Sequence, residues 1–162
     1  MKGQGGFTLI ELLIVVAILA IMASIGFSLD GWENKFRAES TVKQAYSDIM
    51  KAREAAVTEK RMVFVTFTPT GYKAYVDTFP LPDGSGALNT AQDALIVNTT
   101  ISGQVKMQQY PGQITISPDG LLASGSNNIY FYSPKQPQLN CITWTATSMS
   151  LGLWTAPNCV TN

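Results

Sequence analysis

Between Phe7 and Leu29 the chain carries a single charge, Glu11, and Leu12 to Ala23 is an unbroken apolar run. As a helix this segment spans roughly 34 Å at about 1.5 Å per residue, enough to cross a bilayer core of about 30 Å. It is apolar on every side, which predicts a helix enclosed all round by lipid or by protein. From residue 32 the pattern changes. Val42, Ala45, Tyr46, Ile49, Ala52 and Ala56 recur at helical spacing, with Glu39, Lys43, Asp48, Lys51, Arg53 and Glu54 between them. The helix therefore continues to residue 61 as an amphipathic stem, with those charges on its solvent side and the apolar stripe packed on a domain.

After Arg61 the period shortens. Met62 to Thr68 is rich in β-branched and aromatic residues, Pro69-Thr70-Gly71 is a turn, and Tyr72 to Phe79 returns as a second strand. A loop over Pro80 to Gly86 follows. Further strands are expected at Ala94–Ile101, Val105–Tyr110, Ile114–Ser117, Ile129–Ser133, Cys141–Thr147 and Ser150–Thr155, with Pro118-Asp119-Gly120 as a tight turn. The fold class is α+β: a long N-terminal helix packed on a mostly antiparallel β-sheet head.

Composition narrows the chemistry. The chain has 162 residues, with 11 basic and 11 acidic side chains and no histidine. A balanced charge gives no electrostatic case for nucleic acid. Lack of histidine removes the commonest general base and metal ligand. Asp77, Asp83, Asp93 and Asp119 are scattered, without EF-hand spacing. No nucleophile motif or phosphate-binding glycine loop occurs. The chain reads as no enzyme, with no metal and no cofactor.

The N-terminus is short and positive, and Lys2 holds it in the cytoplasm, so the chain beyond Leu29 lies outside. An ordinary secretory signal does not fit: the apolar core is too long, no small-residue cleavage site follows it, and an acid sits near its start. The run Gly6-Phe7-Thr8-Leu9-Ile10-Glu11 and the apolar stretch to Ser24 resemble the type IV pilin and type II secretion pseudopilin family almost residue for residue. The blocks Ala52-Arg53-Glu54-Ala55-Ala56-Val57 and Ile114-Thr115-Ile116-Ser117-Pro118-Asp119-Gly120 are similar to the GspH/FimT/FimU group of minor pilins.

The resemblance implies a pilin fold in four parts: a leader over residues 1–6, a membrane and filament-core helix over 7–29, a stem over 30–61, and a β-rich head over 62–162. Prepilin peptidase would cut between Gly6 and Phe7 and methylate the new amine of Phe7. Glu11 would pair with that amine, on a neighbouring subunit or its own. A water-facing interfacial glutamate is the plainer reading of the same residue. The partners implied are other pilin or pseudopilin subunits, the peptidase, the inner-membrane assembly machinery and the bilayer. The protein would sit in a bacterial inner membrane before assembly and in a periplasmic or surface filament afterwards. One departure stands out: Ser28 occupies a place where many members have proline. Gly26 and Gly31 are weaker helix breakers, and whether the stem melts there is open.

Cys141 and Cys159 would face an oxidising compartment, where disulfides persist. Bridging them would contribute about 3 kcal/mol in the chain-entropy view. Two buried thiols are the alternative. Trp144, Trp154, Tyr130, Phe131 and Tyr132 admit either core packing or an aromatic ligand face. Two functions follow: a structural filament subunit, or a membrane-anchored binding module that does not polymerise.

Overall fold

The structure, a computed structural model, describes residues 8–82, 84–123, 127–134 and 137–161, with the side chains of residues 25–32 left out. It divides into two compact units, Met1–Glu33 and Asn34–Asn162. In the first unit helix α1 (Leu9–Glu59) begins, and its backbone stays helical through Gly26, Ser28 and Gly31. Neither glycine breaks it in this state.

In the second unit the remaining turns of α1 bury a stripe of Ala38, Val42, Ala45, Ile49, Ala52 and Ala56, each no more than 1% exposed. The steps alternate between four and three residues, which keeps one face inward. Ala38 extends the stripe beyond the expected start, and Tyr46 is only half-buried.

Asp48 departs from expectation. It belongs by type with the solvent-facing charges, yet it is buried. Three residues beyond Ala45 and beside Ile49, it shares the inner face by helical geometry. Its carboxylate accepts hydrogen bonds from the Tyr72 hydroxyl at 2.8 Å and the Thr99 hydroxyl at 3.1 Å, and Lys51 approaches at 3.1 Å. Lys51 is largely exposed, so that ion pair adds little. Burial pushes the Tyr72 phenol well above its ordinary range; the Asp48 hydrogen bond and charge add to this, and the Thr99 hydrogen bond opposes it.

The helix ends on Lys60, which takes a left-handed φ of 56°. The Arg61 N–H then reaches back to the Ala56 carbonyl at 3.2 Å, the Schellman closure. Glycine usually fills that position, so the sequence carried no stop signal there.

Among the described residues ten strands follow: β1 (Val63–Thr68), β2 (Gly71–Val76), β3 (Ala94–Thr100), β4 (Lys106–Gln109), β5 (Gln113–Ile116), β6 (Leu122–Ala123), β7 (Asn128–Tyr132), β8 (Cys141–Trp144), β9 (Met149–Thr155) and β10 (Asn158–Val160). They form two antiparallel sheets, ordered β3-β2-β1-β5-β6 and β10-β9-β8-β7-β4. A single sheet was the simpler expectation. One core joins them: Val63, Val65, Ala74 and Ile114 of the first sheet, Ile129, Phe131 and Ile142 of the second, and the α1 stripe. β6 and β10 are too short to show a period, and β8 stops at Trp144 where a run to Thr147 was expected.

β2 stops at Val76, short of the expected Phe79, because Asp77 turns the chain. Its buried carboxylate accepts from the N–H groups of Ser85 and Gly86 at 2.9 and 2.7 Å. Asp93 does the same for Thr78 and Asn89, and the Arg61 guanidinium donates to the carbonyls of Asp77 and Pro82. Two of the scattered acids thus replace solvent for a loop's backbone. Asp83 lies outside the described residues.

The sheet edges are blunted, as edges must be to avoid stray pairing. β3 carries a bulge opposite Ala74 and Tyr75. The β4 edge donates from Met107 to Pro69, and β6 donates from Leu122 to Ala146. Each of these bonds runs from an edge of one sheet to a turn of the other.

Two outcomes follow. Tyr72 has a raised folded pKa, so its contribution is whole below about pH 10, where unfolded tyrosine ionises, and falls as pH rises above that. Denaturation midpoints of the wild type should therefore drop in that range more steeply than those of Tyr72→Phe. Lys60→Gly should raise stability by about 1 kcal/mol, since glycine takes a left-handed φ without strain; chemical denaturation measures it.

Candidate functional site

Gly6 and Phe7 lie outside the described residues, so the cut and the methylation have no geometry here. Glu11 is described. Thr8 precedes the helix and caps it: its hydroxyl accepts from the Glu11 N–H at 3.4 Å and its carbonyl from Glu11 and Leu12 at 3.1 and 3.2 Å. Thr8-Leu9-Ile10-Glu11 has the spacing of a capping box. That spacing is legible in the sequence itself. It places a carboxylate in the first turn, at the positive end of the helix dipole. Glu11 therefore has a local electrostatic partner in its own helix.

The large apolar side chains from Leu9 to Met22 are uncovered, from 46% exposed at Val15 to 78% at Leu9. Among the described residues no helix is long and apolar enough to cross a membrane. The described side chains of the apolar run break off after Ser24, short of Leu29.

In the second unit Cys141 and Cys159 are joined, with Cα atoms 5.9 Å apart. Cys141 is on β8 and Cys159 on β10, so the bond passes over β9 at Gly152, the cross-strand partner of Cys141. A Cβ on Gly152 would stand 3.0 Å from the Cys159 sulfur and closer still to the Val160 carbonyl. Only glycine leaves room for this crossing. The five aromatics divide. Phe131 and Trp144 are core, Tyr130 and Trp154 stack at 5.0 Å, and Tyr132 is exposed.

The two looser motif blocks, far apart in sequence, meet in space. Gly120 has φ 77°, and a Cβ there would lie 2.9 Å from Val57 and 3.3 Å from Arg53. The Ser117–Gly120 turn, closed by a 2.8 Å bond, is thus seated against α1. Among the described residues no three His, Cys, Asp or Glu side chains gather as a metal site.

The family described as the prokaryotic N-terminal methylation motif matches residues 1–27. The family described as type II transport protein GspH matches residues 41–148. The chain belongs to the GspH family. That match takes in α1 from residue 41 onward, both motif blocks and β1 to β8. The final hairpin and Cys159 of this GspH-family chain fall beyond it. Two curated relatives, each described as a fimbrial protein of Pseudomonas aeruginosa, are 38% identical over 91 residues. The alignment covers 53% of this chain and 57% of each relative, so the chain spans little more than half the length of these relatives. No solved structure matches.

Gly152→Val should cost about 1–3 kcal/mol through overpacking at the crossing. The same substitution in a Cys141→Ala/Cys159→Ala background should cost less, because the sulfur part of the clash is gone. A double-mutant cycle of unfolding free energies measures the difference.

Proposed function

We propose that this chain is a structural filament subunit, stored in a membrane and assembled through its N-terminal helix. The observation that carries the proposal is the uncovered apolar surface of α1 from Leu9 to Met22, in a chain whose first 27 residues match a methylation motif. At about 25 cal/mol per Å² such a surface is not stable in water. A bilayer satisfies it in the precursor, and other copies of the helix satisfy it in the filament. The family description, a type II transport protein, and the fimbrial relatives both support this class.

In this proposal prepilin peptidase cuts between Gly6 and Phe7 and methylates Phe7. Residues 7–29 cross the inner membrane once, with the head outside. The new amine supplies a positive charge four residues before Glu11 in sequence. A carboxylate deep in lipid costs about 2.5–3.5 kcal/mol, and less near the interface, so the amine of a neighbour offsets part of that cost when helices pack. Because lipid already satisfies the apolar helix, its removal gains little from hydrophobicity alone. Assembly therefore needs machinery in the inner membrane, helix–helix packing and this charge pair.

Glu11→Ala should be cut nearly as well as wild type, because the scissile bond and Gly6 are untouched, yet enter filaments several-fold less. Immunoblots of membrane and sheared filament fractions, with leader loss read by mobility, check both arms. Incorporation equal to wild type would remove Glu11 from the mechanism.

A further inference from the structure

The disulfide sits in a four-residue arrangement on the face of the second sheet turned away from the core. Tyr130 is the cross-strand partner of Cys141, and Trp154 is that of Cys159. Directly paired residues share a face, and the S–S bond puts both pairs on the same one. The two rings stack at 5.0 Å with their planes 17° apart. The ring stack links β7 to β9, and the disulfide links β8 to β10. Two contacts thus interlace, each skipping one strand, above the space that Gly152 leaves. The Trp154 N–H is held by the Asn140 side-chain oxygen at 2.6 Å, which fixes the ring's strand against β8.

The two sulfurs are not equivalent. Cys141 is fully buried, while Cys159 is only partly covered, on a three-residue edge strand. Exchange requires a thiolate to reach one sulfur in line with the S–S bond and expel the other, so access decides which sulfur is attacked.

We infer that Cys159 is the thiol-exchange site of this head and that the Tyr130–Trp154 stack keeps that exchange slow. An incoming small-molecule or protein thiolate bonds to the Cys159 sulfur. The S–S electron pair leaves with Cys141, which becomes a thiolate. A second external thiol then cleaves the mixed disulfide at Cys159, forming an external disulfide and a Cys159 thiolate, and both cysteines end reduced. The first step places a charge on a sulfur with no water around it, which is costly. The stacked rings, cross-strand from the two cysteines on the same face, keep water from reaching that departing sulfur. A bridge so built exchanges only slowly with thiols while folded, and it is addressed from the C-terminal edge alone.

The full chain in detergent micelles, treated with reduced glutathione, quenched in acid, alkylated and mapped by peptide mass spectrometry, tests this. The expected first product carries glutathione on Cys159 and the alkyl group on Cys141. In denaturant the adduct should divide between the two. Trp154→Ala and Tyr130→Ala should each speed native exchange about tenfold or more by letting water reach the departing Cys141 sulfur. Their near-ultraviolet circular dichroism and the rate of global unfolding, measured in parallel, separate local access from loss of fold. Should the wild type prove too slow to trap, the adduct position is read in these variants. Glutathione first on Cys141, an even division in the native state, no native exchange in any variant, or variant rates equal to their own unfolding rates would each overturn the assignment.

Discussion

One helix has to satisfy two different surroundings. From Leu9 to Met22 the large apolar side chains of α1 stand open, and from Ala38 to Ala56 one face is sealed into a β-rich core. The first stretch has no polar side to offer water, and the second has a clear division into buried and solvated faces. Much of the rest follows from that division. The head is closed by its own strands, its disulfide and its looped-back carboxylates. The apolar stretch still needs a cover.

The head resolves its own polar obligations locally. Asp48, Asp77 and Asp93 are acids placed inside a small domain, and each is matched by hydrogen-bond donors. Asp48 ties α1 to β2 and β3, while the other two fold the loop after β2. A buried carboxylate without such donors would cost several kcal/mol. The seating of Gly120 on Arg53 and Val57 fastens the first sheet to the same helix at another point. The interlaced ring stack and disulfide tie the strands β7 to β10 of the second sheet to one another on its outer face.

Long periodic features were legible in the sequence. The unbroken apolar run, the helical spacing of the stripe from Val42 to Ala56, and the β-branched and aromatic content of β1, β3 and β5 are each local signals. The division into two sheets was not legible, because strand order depends on long-range pairing that no local pattern records. β6 and β10 are too short for periodicity, and Lys60 ends the helix without the glycine that marks such a place. Asp48 was assigned to the solvent side because charge type outweighed its position three residues after Ala45. Thr8 and Glu11 have capping-box spacing, but the intramembrane acid drew the reading toward a partner charge. The Cys141–Cys159 pairing was open to reading because only two cysteines exist; the demand it places on Gly152 appears only once β9 is seen to pass beneath it.

The account stands or falls on where the working protein begins. Intact-mass and fragment-ion spectra of the chain, recovered from filaments or membranes of its own host, locate that residue directly. The account predicts a chain starting at Phe7 whose terminal amine bears one methyl group. A chain that keeps Met1, or one cut beyond Leu29, would contradict it.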